Sequence, residues 1–112
     1  MTYKEIFTAL EATGLPVAYN FWESPEDVPP LPYIVFTYPD NNDFKADNTN
    51  YQEIVTLEAG LYTRNRDIET EKAVEAILKT YFHTYFKTSE YVQNDSMQET
   101  LYTMEVIITD GE

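Results

Sequence analysis

The 112-residue chain has no cysteine, which excludes disulfides, thiol catalysis and thiolate metal sites and suits a reducing compartment. It has three glycines, Gly14, Gly60 and Gly111, too far apart to build a phosphate-cradling loop, so nucleotide binding is disfavoured. The one histidine, His83, is the only candidate base for a triad, and a zinc site would need carboxylates for its missing ligands. Its setting in YFHTYF reads as a surface or packed imidazole. Ser24, Ser89 and Ser96 are the only serines, and none lies in G-x-S-x-G. Basic residues are scarce: seven against 20 acidic ones give a net charge of −13, which repels nucleic-acid phosphates. The longest mainly apolar runs, Leu31 to Tyr38 and Met104 to Ile108, fall far short of the roughly 20 residues that span a bilayer, so no membrane segment is expected. The opening MTYKEIFTALEATG has neither a basic region nor an apolar core, so no secretory leader is expected either. Bacterial cytoplasm is the simplest fit.

What is present describes one compact domain, residues 1–112, of a size that buries roughly two-thirds of its unfolded surface without staples. Thr2 and Glu5 have the spacing of a capping box, which starts a helix at Tyr3. Tyr3, Ile6, Phe7 and Leu10 follow the 3.6 period, and Gly14-Leu15-Pro16 stops it. Val17 to Trp22 reads as a short strand, followed by a stiff extended loop, Ser24 to Pro30. Tyr33 to Tyr38 is an aromatic and β-branched strand bounded by Pro32 and Pro39, with Ile34, Phe36 and Tyr38 on one face. Asp40 to Asn50 is a long polar loop or hairpin tip carrying one aromatic, Phe44. From Tyr51 to Tyr62, Val55, Leu57, Ala59 and Leu61 alternate with Thr56, Glu58 and Tyr62, the pattern of a central strand. Asn65 or Asp67 caps a second helix whose stripe is Val74, Ile77, Leu78 and Tyr81, with Glu75 and Lys79 paired outward. Tyr81 to Phe86 fits a helix end or a strand. Ser89 to Gln93 and Thr100 to Thr109 form a hairpin through Asn94-Asp95-Ser96, with Tyr102, Met104, Val106 and Ile108 inward. The expected fold is α+β: a mixed, mostly antiparallel sheet of four to five strands with two helices packed on one face.

No constellation for catalysis or cofactor binding emerges. Asp40, Asp43 and Asp47 could offer oxygens to Ca²⁺, but the glycine-centred, Glu-terminated loop pattern is missing, so no metal site is assigned. The acidic residues read as a solvated face. Lys45, Arg64 and Arg66 are conspicuous positives on a negative molecule. They fit either ordinary surface salt bridges or the charged rim of a contact between identical subunits. The acidity is compatible with plain solubility, with a wall past which DNA slides, or with a decoy that mimics the charge of DNA.

The proline-rich entry and strand PPLPYIVF, the polar loop DNTNYQ, the strand VTLEAGLYT and the helix DIETEKAVEAIL, in that order, resemble the tail-terminator or tail-completion proteins of siphophages and related prophages. The likeness spans nearly the whole chain and lies in element order and residue type, since that family has no catalytic signature. It implies a non-enzymatic virion protein without cofactor, assembled in the host cytoplasm into a ring, commonly hexameric, at the head-proximal end of the tail tube. Its partners would be itself, the tail tube protein and the head connector or stopper, with DNA passing through the lumen without specific binding. On that resemblance Lys45, Arg64 and Arg66 would meet carboxylates of a neighbouring subunit, while Phe44 and Tyr51 would anchor the loop on the ring neighbour or the tube. A head-completion or stopper protein shares this size and partner set. A small acidic DNA-mimicking inhibitor is the alternative of another class.

Overall fold

A computed structural model of the chain describes residues 1–39, 53–92 and 96–109. It is an α+β domain of two helices and a five-stranded mixed sheet. In chain order the elements are α1 (Tyr3–Glu11), β1 (Val17–Tyr19), β2 (Tyr33–Thr37), β3 (Glu53–Thr63), α2 (Ile68–Phe82), β4 (Phe86–Val92) and β5 (Met97–Ile108). The sheet runs β1-β2-β3-β5-β4, with β1 parallel to β2 and every other pairing antiparallel.

The helix signals act as their chemistry requires. The Thr2 hydroxyl accepts from the Glu5 amide at 3.0 Å and the Glu5 carboxylate accepts from the Thr2 amide at 2.9 Å, so two otherwise orphaned donors at the start of α1 are satisfied. Gly14 adopts φ 85° just beyond the helix, a conformation that needs the missing Cβ. Asp67 caps α2: its two oxygens take the amide and the hydroxyl of Thr70 at 3.1 and 2.8 Å.

Alternation sorts the strands into two faces. Val55, Leu57, Ala59 and Leu61 of β3, Tyr102, Met104, Val106 and Ile108 of β5, and Ile34 and Phe36 of β2 are buried beneath the helices. From above, α1 contributes Ile6, Ala9 and Leu10, and α2 contributes Val74, Leu78 and Phe82. Tyr3, Phe7, Tyr19, Phe36 and Tyr38 close the β1–β2 end, with successive ring centroids 5.1 to 5.9 Å apart.

Three sequence expectations are corrected and one open alternative is resolved. The Ser24–Pro30 segment is not extended throughout, because Pro25–Asp27 makes one 3₁₀ turn, with Pro25 at the position where a missing amide costs nothing. The buried stripe of α2 runs through Glu71, Val74, Leu78 and Phe82, so Tyr81 is exposed and Phe82 takes its place. Glu75 does not pair outward with Lys79 but turns toward the sheet, where Lys87 and Tyr102 hold it. The ambiguous stretch after α2 resolves at His83, an exposed residue with φ 73° and ψ −52°. There the Thr84 amide donates to the Phe82 carbonyl at 2.8 Å, a tight γ-turn between helix and strand.

Candidate functional site

Of the five residues that the sequence nominates for an interface, Phe44, Lys45 and Tyr51 lie outside the described residues, as do Asp40, Asp43 and Asp47. Arg64 and Arg66 stand at the exposed turn between β3 and α2. Arg64 forms no ion pair among the described residues. Arg66 is already engaged: its Nε donates to Glu71 Oε2 at 2.9 Å and its Nη2 to Glu71 Oε1 at 3.4 Å. With 53 % of its side chain exposed, the guanidinium keeps a solvent-facing side.

The partner of Arg66 anchors a network that sequence periodicity does not reveal. Glu71 is 1 % exposed and sits within the buried stripe of α2. Lys87, reaching across from β4, donates to Glu71 at 3.1 Å and lies 2.6 Å from Glu75. The Tyr102 hydroxyl of β5 donates to Glu75 at 2.8 Å. Two cations therefore neutralise a carboxylate that could not be buried alone.

The protonation states follow from these contacts. Partial burial pushes the Glu75 carboxyl up, but the hydrogen bonds from Lys87 and Tyr102 and the lysine charge outweigh it and leave the group below its ordinary value. Lys87 is held above its ordinary value by its bond to Glu75, against some desolvation, with Glu71 adding to the rise. Burial, and then Glu75, push the Tyr102 hydroxyl far up, so it remains a donor. Glu75 and Lys87 thus carry fixed charges at neutral pH, and what the network does chemically is rivet α2 to β4 and β5.

A second region draws attention by what it leaves bare. On the sheet face away from the helices, Ile54 and Ile107 stand directly opposite each other in the β3–β5 register, 54 % and 50 % exposed. Phe86 on the same face is 71 % exposed, opposite Thr103. Among the described residues no helix covers this end of the face. Strand β4 forms one edge of the sheet, six of its seven residues are exposed, and among the described residues no strand pairs with its outer side. The sequence contains a signal for the bare face, since Ile54 and Ile107 fall out of phase with the buried alternation of their strands.

No protein-family model and no curated protein matches the chain. No helix among the described residues is long and apolar enough to cross a membrane.

Proposed function

We propose that the chain is a structural subunit of a phage tail, a tail terminator that forms a ring on the head-proximal end of the tail tube, halts its growth and offers the head-docking surface. The observation that carries this reading is the uncovered sheet face with Ile54, Ile107 and Phe86, beside the open edge of β4. Burying one large apolar side chain is worth about 1.5–3 kcal/mol, so a neighbour covering that face gains substantially. The bare face and the open edge are different surfaces, as head-to-tail contacts around a ring require.

On this reading the protein makes and breaks no bond and needs no cofactor. Its partners are further copies of itself, commonly six, the tail tube protein and the head connector. The net charge of −13 gives the lumen a wall past which DNA slides. Arg64 meets carboxylates of the neighbouring subunit, and Arg66 lends the side of its guanidinium that Glu71 leaves free. Lys45 likewise meets carboxylates of a neighbouring subunit, and Phe44 and Tyr51 anchor on the ring neighbour or the tube.

Electron microscopy of particles assembled with the gene silenced tests the proposal through tail length and attachment to heads. Overlong, unattached tails are expected. Normal-length tails detached from heads would replace the terminator with a head-completion or stopper role. Intact virions would overturn the assembly reading and leave the acidity to be explained as DNA mimicry.

A further inference from the structure

We infer that a groove on the outer face of the sheet, remote from the Ile54–Ile107 end, is a receptor for an arginine side chain presented by an extended segment of a partner protein. The groove has a volume of about 630 Å³, and its walls include Trp22, Tyr33, Tyr62, Val92, Met97 and Glu99. It exists because the chain changes faces after β1. Tyr19 packs against Phe36 on the helix side of the sheet, and Asn20, at φ 68°, then makes a tight turn in which the Phe21 amide donates to the Tyr19 carbonyl at 2.8 Å. The turn places Trp22 on the opposite face, edge-on to Tyr33 at 5.6 Å and 84°.

The register then lays a row across four strands. Tyr33 of β2 is opposite Tyr62 of β3, Tyr62 is opposite Glu99 of β5, and Glu99 is opposite Glu90 of β4. The Tyr33 and Tyr62 rings lie 5.5 Å apart, tilted by 35°, and the Tyr62 hydroxyl donates to Glu99 Oε2 at 2.9 Å. One end of the row is π-rich and the other is anionic.

Three features specify the occupant. Like charges directly opposite each other on adjacent strands repel, and neither Glu90 nor Glu99 forms an ion pair among the described residues. Among the described residues no lysine or arginine lines the groove, which leaves its carboxylate open to a cation from a partner. Trp22 Nε1 is buried without a hydrogen-bond partner among the described residues, an unsatisfied donor that a peptide carbonyl satisfies once the indole shifts to uncover it. A cation that brings a carbonyl with it is a basic residue within a polypeptide. A planar guanidinium meets both ends of the row, stacking on an aromatic face while it forks onto a carboxylate, which an ammonium does less well.

Trp22 is the only tryptophan in the chain, so its emission reports occupancy directly. The probes are acetyl-Gly-Arg-Gly-amide and the same peptide with citrulline, a neutral isostere of arginine, titrated into the full chain at matched ionic strength. The arginine peptide should give a saturable change in emission that the citrulline peptide does not. Glu99→Gln should weaken binding about tenfold through loss of a charge-assisted contact. The more exposed Glu90→Gln should weaken it about threefold. Circular dichroism verifies the fold of each variant, and if Glu99→Gln unfolds, the exposed edge-strand substitution Glu90→Gln carries the test. Equal binding of the citrulline peptide, unchanged affinity in the folded variants, or a response that does not saturate would each overturn the inference. Because the titration uses the isolated chain, its outcome is independent of any effect on tails.

Discussion

Replacing Lys87 with methionine keeps most of the apolar stem and removes the one cation that serves both Glu71 and Glu75. A hydrogen bond to a charged group is worth about 1.5–3 kcal/mol, and two are lost. Solvent takes up part of the loss, since the Lys87 side chain is 32 % exposed and that of Glu75 18 %, and Arg66 still holds Glu71. The expected cost is therefore about 3 kcal/mol, at the low end of the simple sum of two bonds and close to that of breaking a buried pair. In a domain of this size it lowers Tm by about 10 °C. Arg66→Met should cost about 1 kcal/mol or less, because solvent screens the exposed guanidinium and Lys87 remains beside Glu71. Urea unfolding followed by circular dichroism measures both. Combining Lys87→Met with Glu75→Gln should cost at least about 1 kcal/mol less than the two single effects added, since the second substitution removes a carboxylate already stripped of its cation. If Lys87→Met proved no worse than Arg66→Met, or the double variant were additive, the network would not be the rivet described above.

The same groups set a pH window. Glu75 is held below its ordinary value, so its stabilisation is full above about pH 4.3 and fades as pH falls through its lowered native value. Lys87 is held above its ordinary value, so its share is full below about pH 10.4 and fades as pH rises through the raised one. The urea midpoint should be flat between these limits and decline on both sides in the wild type, with both declines shallower in Lys87→Met. Gly60→Ala places a Cβ 3.1 to 3.3 Å from the Oη, Cε2 and Cζ atoms of Tyr62, whose ring must give by a few tenths of an ångström and so loosens its bond to Glu99. A loss of about 1 kcal/mol is expected in chemical unfolding, together with altered Trp22 emission. His83→Gly should stabilise by about 1 kcal/mol in the same assay, because a glycine adopts the positive φ of that turn without strain.

The helix boundaries and the inner sheet face could be read from the sequence because each rests on local chemistry: Thr2 and Glu5 are three residues apart, and Val55 to Leu61 alternate without interruption. Glu71 could not. Its cations come from five and 16 positions away, and nothing in the periodicity of α2 says that a carboxylate may be buried until β4 brings Lys87 to it. Glu75 and Lys79 have ideal i, i+4 spacing, yet tertiary partners claimed Glu75 because a hydroxyl and an ammonium from the sheet bind it more fully than one solvated lysine. The aromatic and acidic row was hidden for a similar reason. Tyr33, Tyr62, Glu99 and Glu90 are far apart in sequence and become neighbours only through strand register, while the turn at Asn20 that adds Trp22 rests on a positive φ that asparagine tolerates but does not demand. Arg64 and Arg66 stood out as isolated positives, and charge alone could not tell which of them an internal carboxylate would take.

The order of the strands also governs how the chain reaches this state. Strand β5 comes last in chain order among the five described strands, yet it lies between β3 and β4 and pairs with β3 along the whole of β3, from Glu53 with Ile108 to Thr63 with Gln98. Until residues 97–108 have left the ribosome, β3 has no partner on that side and the core lacks Tyr102, Met104, Val106 and Ile108. A nascent or truncated chain that stops short of them leaves an eleven-residue strand unpaired along that edge and its apolar face uncovered, so incomplete synthesis products should aggregate while chains that include β5 remain dispersed.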